Sequence, residues 1–493
     1  VIAQTGSHGG DDEHPVFMNL SGKKVLVVGV ARSGIAASKL LASRAAMVIA
    51  NDVKPEDQLA REAEELRAAG VLLSLGGHRE SLFENADLIV LSPGVPADLP
   101  ALESSRRRGI EVISEPELAG RFLKGRMIGV TGSNGKTTTT ILIGALMRAA
   151  GAEVIVGGNI GTALSSLVEQ STGESWTVAE LSSFQLEMID SLRVNVAVMT
   201  NITPDHLDRH GTFDSYVRAK HRIFRNQSVE DWAVLNGSDP AIADMVGTLG
   251  VKSKKIYFNS RPDTAAATPM PDIYVRDGAI YTRMPLHSSK EIEVMRLDEI
   301  PLRGMHNVEN VMAALAATFC ATGTRPEDLP ALVDAVKRFE GVEHRIEFVA
   351  EISGVKFYND SKATNVDSTI KALEAFDKNV IVILGGKDKG SDYTILAPLI
   401  RQRVNQIVLI GAASKKIEAQ LAGVRPMVAS SSMEDAVMKA MGLSQPGDTV
   451  LLAPACASFD MFDNFEHRGR VFKEEVQKLA GRLRNGLAGG RPS

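Results

Sequence analysis

The sequence predicts an α/β protein of three domains, each built on a mostly parallel sheet, and three observations carry that expectation. From Lys24 onward, short β-branched runs alternate with Ala/Leu-rich helical stretches, the signature of βαβ units. Nearly every apolar run ends in glycine or polar residues: Gly29, Asp52, Ser92 with Gly94, the stretch at Thr131, Asp360, Gly385, and Ala455 to Ser458. Ligands of parallel sheets bind at those carboxyl ends. Finally, 493 residues correspond to about three domains at roughly 100–200 residues each.

The elements follow in order. Residues 1–18 show no periodicity and are expected to be a tail or appended segment, with the fold beginning near Asn19. KVLVVG, AASKLLASRAA, MVIAND and ADLIVLSPG alternate strand with helix, giving a first domain over 19–114. A Gly- and Arg/Lys-punctuated stretch from Arg107 to Lys124 precedes the apolar run RMIGV, which opens a second domain over 115–341. That domain is expected to hold strands at Thr177–Glu180, Val194–Thr200 and Trp232–Leu235, and a helix from about Asn307 to Thr322. Between them, Arg261 to Ile300 is rich in Pro, Thr and Asp and reads as a small antiparallel excursion. The third domain, 342–493, repeats the alternation through VKFYNDS, NVIVILGG, QIVLIGAA and TVLLAPA.

Composition narrows the function classes. Hydrophobic residues at 44% and charged residues at 23% exclude a disordered or fibrous chain. With 55 Lys plus Arg against 60 Asp plus Glu, the net charge of −5 favours neither nucleic acid nor an anionic membrane as partner. Cys320 and Cys456 lie far apart and fit neither a disulfide framework nor a zinc site, which points to a reducing cytoplasm. No apolar stretch reaches the roughly 18–20 residues that span a bilayer.

The strongest local signal is MIGVTGSNGKTTTT, Met127 to Thr140. A strand runs into a glycine loop ending in Gly135, Lys136 and Thr137, and a helix follows. Glycines let backbone N–H groups face a phosphate, the helix N-terminus adds positive dipole, Lys136 supplies a point charge and Thr137 a hydroxyl for Mg²⁺. The central domain is therefore read as a P-loop-type ATPase domain. Val130 stands where the strict motif has its first glycine, so Gly132 must make the turn.

Downstream lie Asn159 in GGNIG, Glu180 in TVAELSSFQLE, His206 in TNITPDHLDRHG and Lys220 in YVRAKHRIF. Singly, each suits an ordinary structural place: turn residue, strand-end acid, cap or surface imidazole, one charge of a basic helix face. Together, Glu180 and His206 terminate apolar runs on the side where the phosphate loop emerges, and a carboxylate with an imidazole can complete a Mg²⁺ shell. Asp205 is an equal candidate on the same argument.

These residues carry a resemblance. The chain from about Leu20 to its end resembles the Mur ligase family, ATP-dependent amide-forming enzymes of peptidoglycan precursor synthesis. The general motifs are TGSNGKTT, HNVEN (His306 to Asn310) and the EHR of Glu343 to Arg345; ELSSFQLE, NDSKATN and APACASFDMFDNFEHRG match the D-glutamate-adding branch. The resemblance implies Rossmann-like first and third domains around the central ATPase. It implies that Gly132, Asn134, Gly135, Lys136, Thr137 and Thr138 bind ATP phosphates. Asn307, Asn310, Arg345 and Asp360 would contact adenine, γ-phosphate and ribose. Thr137 and Glu180 would hold one Mg²⁺, with His206 and a CO₂-carbamylated Lys220 serving a second; Lys136, Glu180, His206 and Lys220 form the catalytic set. Ser33, Asp52, Lys54, Gly94 and Asn159 match contacts to the UDP-linked substrate, and Lys362, Thr364, Lys389, Ser458 and Phe465 match the D-glutamate site. Cys456 and Phe459 are read as core. Ala31, Arg32 and Asp367 depart from the family pattern.

The implied activity joins D-glutamate to UDP-N-acetylmuramoyl-L-alanine through an acyl phosphate, in a cytoplasmic monomer with positive charge concentrated at Lys136, Arg345, Lys362 and Lys389. His206 or the substrate phosphate would accept the amine proton, and domain closure would exclude water. The rivals are a folylpolyglutamate-synthetase-like ligase, disfavoured by the uridine-type first domain, and a non-ligase P-loop ATPase, for which the strand ending in adjacent acids is not found.

Overall fold

The computed structural model describes residues 20–260, 270–284, 291–323 and 325–488. The expected tail, and parts of the excursion after Arg261, lie outside the described residues. The chain divides into two compact units: residues 1–276 with 281–293 and 312–332, and residues 277–280, 294–311 and 333–493.

The first unit begins with a five-stranded sheet: β1 (Lys24–Val28), β2 (Met47–Asp52), β3 (Leu72–Leu75), β4 (Leu88–Leu91) and β5 (Glu111–Ser114). Its order is β3-β2-β1-β4-β5, and every neighbouring pair is parallel. Strand order reverses between β1 and β4, so a crevice opens at their carboxyl ends. Gly29 follows β1 with φ 95°, and a Cβ there would come within 2.8 Å of Ser92 Cβ. Only glycine lets the two loops approach so closely. A Cβ on Gly34, in the first turn of the helix Arg32–Ser43, would sit 1.8 Å from the Gly29 carbonyl oxygen.

A second sheet carries β6 (Arg126–Thr131), β7 (Val154–Gly158), β8 (Trp176–Glu180), β9 (Val196–Met199), β10 (Trp232–Asn236), β11 (Lys254–Asn259), β12 (Ile273–Arg276), β13 (Ala279–Thr282) and β14 (Ile292–Arg296). The order is β14-β13-β12-β11-β10-β9-β6-β8-β7, and the strands from β12 to β7 pair in parallel. The excursion is a real hairpin: Asp277 (φ 50°) and Gly278 (φ 74°) form the two-residue, positive-φ turn that reverses a strand.

Two acids on the helix Glu115–Gly120 join the two sheets. Glu117 accepts the backbone N–H groups of Asp190, Ser191 and Leu192 at 2.9–3.1 Å and pairs with Arg121 at 2.9 Å. Glu115 accepts from Ser165 N at 2.6 Å, and complete burial pushes its carboxyl up to about 6. One apolar cluster runs from Val25 and Leu41 under the first sheet to Leu181, Met199 and Leu235 under the second.

The second unit is organised by a six-stranded sheet: β15 (Glu347–Ile352), β16 (Val355–Asn359), β17 (Val380–Gly385), β18 (Val404–Ile410), β19 (Met427–Ala429) and β20 (Thr449–Leu452). The order is β15-β16-β20-β17-β18-β19, with β15 antiparallel and the others parallel. Leu373, Val382 and Leu409 pack one face. Ile381, Val437 and Phe472, the last from the helix Phe465–Ala488, pack the other. The helix expected from Asn307 runs over Met305–Thr322.

Candidate active site

The phosphate loop forms where β6 ends. Gly132 takes φ 146° and Gly135 φ 82°, and the helix Lys136–Ala149 starts on the second. A Cβ on Gly132 would stand 2.0 Å from Thr200 Oγ1, so Gly132 replaces the missing first glycine as the turn residue. Lys136 bends over the loop, its Nζ donating to the Gly132 and Ser133 carbonyls at 2.9 and 2.8 Å. The loop is braced from β9 by residues that motif reading overlooked. Asn201 accepts from Asn134 N at 2.8 Å and donates to its carbonyl at 3.0 Å, while Thr200 Oγ1 donates to the same carbonyl at 2.6 Å. Their signal was their place in TNITPDH, directly after an apolar strand.

Under the loop, Thr137, Glu180 and Asn159 meet. Thr137 Oγ1 donates to Glu180 Oε2 at 2.7 Å and Asn159 Nδ2 to Oε1 at 2.8 Å. The Glu180 residue is 2% exposed. A hydroxyl beside a carboxylate is a hard-oxygen pair suited to Mg²⁺, which completes its shell with water and substrate phosphate. Among the described residues, no group of three or more His, Cys, Asp or Glu side chains could hold a metal by itself.

Lys220 lies on the helix Phe213–His221 and is 1% exposed. Its Nζ donates to the Gly132 carbonyl at 2.7 Å and lies 4.6 Å from the Tyr216 ring centroid. Burial, reinforced by the Lys136 charge, holds its amine well below the ordinary lysine range, with Asp205 and Glu180 pulling the other way. Tyr216 OH in turn shares a 2.9 Å hydrogen bond with Ser133 Oγ.

His206 stands apart from this buried group. Its side chain is 51% exposed, 3.5 Å from Asp205, and its backbone takes φ 51°. Of the other first-unit candidates, Asp52 braces the β1 loop by accepting from Val30 N at 2.7 Å and Lys54 N at 2.9 Å. Ser33 is half-buried, and Lys54 and Gly94 are exposed. Arg32 Nη2 donates to the Asn159 carbonyl at 3.2 Å, which brings the departure from the glycine pattern onto the same crevice.

In the second unit, Asn310 donates to Asn307 Oδ1 at 3.0 Å, and Asn307 Nδ2 to the Arg303 carbonyl at 2.7 Å. Asp360 ends the β16 run, where burial raises its carboxyl to about 6 against the opposing charge of Arg345. Backbone strain gathers beside Arg345, with His344 at φ 65° and Ile346 at φ 43°. Lys362 Nζ lies 5.8 Å from the Phe465 ring centroid. Thr364 N donates to the Lys362 carbonyl at 2.8 Å. Ser458 is buried, whereas Lys389 is exposed on the loop after β17.

Arg468 holds these loops together, and the sequence reading passed over it within FEHRG. Fully buried, it donates to Ser361 Oγ at 2.9 Å, the Ser361 carbonyl at 2.7 Å and the Cys456 carbonyl at 3.0 Å. Cys456 is core as expected, but Phe459 is not. It is 67% exposed, because it sits on the turn after Ser458, and the residue that follows it, Asp460, accepts from Ala412 N at 2.8 Å. Asp367 occupies the first turn of the helix Val366–Glu374, where an acid complements the helix dipole.

Comparison with known proteins decides what this arrangement belongs to. Three family models match in succession: "Mur ligase MurD-like, N-terminal domain" over residues 23–114, "Mur ligase middle domain" over 130–318 and "Mur ligase, glutamate ligase domain" over 344–456. The chain belongs to the Mur ligase family. This Mur ligase is 48% identical over 94% of its length to the UDP-N-acetylmuramoylalanine–D-glutamate ligase of Koribacter versatilis, covering 99% of that protein. It is likewise 48% identical to the ligase of the same name from Acidobacterium capsulatum, over 93% of this chain and 97% of that one. Among solved structures, a pseudomurein peptide ligase type C from Methanothermus fervidus shares its fold with a TM-score of 0.57 at 19% identity, covering 93% of this chain and all of that one. This Mur ligase is accordingly an ATP-dependent, amide-forming enzyme of the MurD type. No described helix is long and apolar enough to cross a membrane.

Proposed function

We propose that this ligase joins the amine of D-glutamate to the L-alanyl carboxylate of UDP-N-acetylmuramoyl-L-alanine, at a cytoplasmic step of peptidoglycan precursor synthesis. The observation that carries the chemistry is the Thr137–Glu180–Asn159 network beneath the phosphate loop. Residues 19–114 hold the UDP-linked acceptor, 115–341 the ATP and 342–493 the amino acid.

The acceptor carboxylate attacks the γ-phosphorus of ATP, giving an acyl phosphate and ADP. Lys136 and the N–H groups of the glycine loop neutralise charge that builds on the phosphoryl oxygens. Thr137 and Glu180 are the residues that would hold Mg²⁺, which when bound would supply further positive charge against those oxygens. Lys362, Lys389 and Ser458 orient D-glutamate, whose amine attacks the acyl carbon and expels phosphate.

Lys220 is suited to carbamylation. Burial that lowers the pKa of an amine raises its neutral share, whose lone pair can add to CO₂; loss of one proton leaves a carbamate. That change would turn a cation that repels Mg²⁺ into an oxygen donor able, with His206, to serve a second ion. The test is product analysis: incubation with acceptor, ATP and D-glutamate should yield one new amide by mass spectrometry, and L-glutamate should not replace the D-isomer.

A further inference from the structure

We propose that Arg209 is a positioning residue tying the turn Ser92–Val95, at the mouth of the first sheet, to the loop that carries His206. Acceptor binding and the setting of His206 then depend on one another. This rests on the reading of the first domain as the acceptor site.

The contacts are specific. Arg209 Nη1 donates to the Pro93 carbonyl at 2.9 Å and Nη2 to the Val95 carbonyl at 2.8 Å. Its guanidinium lies 4.3 Å from the Phe184 ring centroid and 3.9 Å from Glu187. The next residue is pinned to the short helix Ser183–Leu186, which carries Phe184 and is capped by Glu187. His210 donates or accepts at Ser183 Oγ at 3.0 Å, lies 3.0 Å from Glu187 Oε1 and stacks on Phe184 with 16° between the rings. His206 itself packs 4.9 Å from that ring.

Two consequences follow. Carbonyl oxygens turned toward a diphosphate would repel it; the guanidinium fork draws both to itself and fixes the Pro93–Gly94 and Val95–Pro96 peptide planes. A Cβ at Gly94 would meet open space, so this is the exposed tip of the turn. On the other side, the left-handed backbone of His206 (φ 51°) is strained for a non-glycine residue and persists only where its surroundings hold it. Arg209 and His210 hold the short helix Leu207–His210 that follows His206. Lysine cannot replace this fork, because it has neither the planar pair of donors nor the stacking face.

The test uses full-length Arg209→Lys and Arg209→Met. Calorimetry without nucleotide measures binding of UDP-N-acetylmuramoyl-L-alanine, and steady-state kinetics give KM for each substrate and the Mg²⁺ concentration for half-maximal rate. Both variants should weaken acceptor binding about tenfold and raise the Mg²⁺ requirement several-fold, with the D-glutamate KM within about twofold of the parent. Phe184→Leu, which removes the stacking surface and leaves every polar contact, should move the same two quantities by about threefold and serves if the arginine variants fail to fold. Unchanged acceptor binding, an unchanged Mg²⁺ requirement, a parallel rise in the D-glutamate KM, or full rescue by lysine would each overturn the proposal. If the parent protein itself binds no acceptor, the reading of the first domain falls with it; parent binding with unaltered variants removes the role of Arg209 alone.

Discussion

The hydroxyl of Thr137 donates to the carboxylate of Glu180 at 2.7 Å, joining the first turn of the phosphate-loop helix to the end of the neighbouring strand. Forty-three residues separate them in sequence, and the parallel pairing of β6 with β8 brings them together. Replacing Glu180 by Gln keeps the shape and an acceptor for Thr137 but removes the charge that Mg²⁺ needs. The account predicts a kcat lowered on the order of 10²-fold and a higher Mg²⁺ requirement with little change in Tm, read by steady-state kinetics and thermal denaturation.

Lys220 makes a second prediction. Lys220→Ala removes both the amine and any carbamate, and most activity should go. Short carboxylates such as acetate or formate should restore part of it by placing oxygen ligands in the vacated volume. Full activity without added carboxylate would reduce Lys220 to a packing residue.

Arg468 links the loop after β16 to the loop after β20, and both carry amino-acid candidates. Arg468→Met leaves the Ser361 and Cys456 carbonyls buried without their donors, which should cost about 2–5 kcal/mol in denaturant unfolding. Arg468→Lys should fold better yet raise the D-glutamate KM about tenfold more than the ATP KM, because one ammonium cannot hold both loops.

His306 gives a pH dependence with a definite sign. Burial, with the charges of Arg345 and Lys371 adding to it, lowers its pKa from 6.5 to about 4. Between those values the unfolded chain takes up a proton that the native protein refuses, so this contribution is present above pH 6.5 and lost as pH falls toward 4. Asp360, raised from 3.8 to about 6, acts oppositely: its native state binds the extra proton, and stability rises as pH falls through 6. His306→Gln isolates the first term. Over pH 6.5 to 4, the parent should lose up to about 3 kcal/mol relative to the variant in urea unfolding, and parallel curves would refute the assignment.

Much of this architecture was legible in the chain. Strands ending in Gly29, Thr131, Glu180, Asp360 and Gly385 marked the ligand side because parallel sheets gather their loops there. The phosphate loop was readable even without its first glycine, since Gly132 supplies the positive φ. Less legible were Asn201, Arg209 and Arg468. Each acts through backbone carbonyls or N–H groups of a distant segment, and backbone partners leave no mark in the sequence. Phe459 was misread because an aromatic residue beside buried Cys456 suggests core, whereas the turn after Ser458 carries it outward.

The central claim is that phosphate transfer is committed to amide formation with two particular substrates. It is tested most directly by phosphate release from ATP, followed while the acceptor or D-glutamate is withheld. The account predicts sustained release only when UDP-N-acetylmuramoyl-L-alanine and D-glutamate are both present, with one amide formed per phosphate. Release at the same rate without either substrate would contradict it and make the protein a non-ligase ATPase.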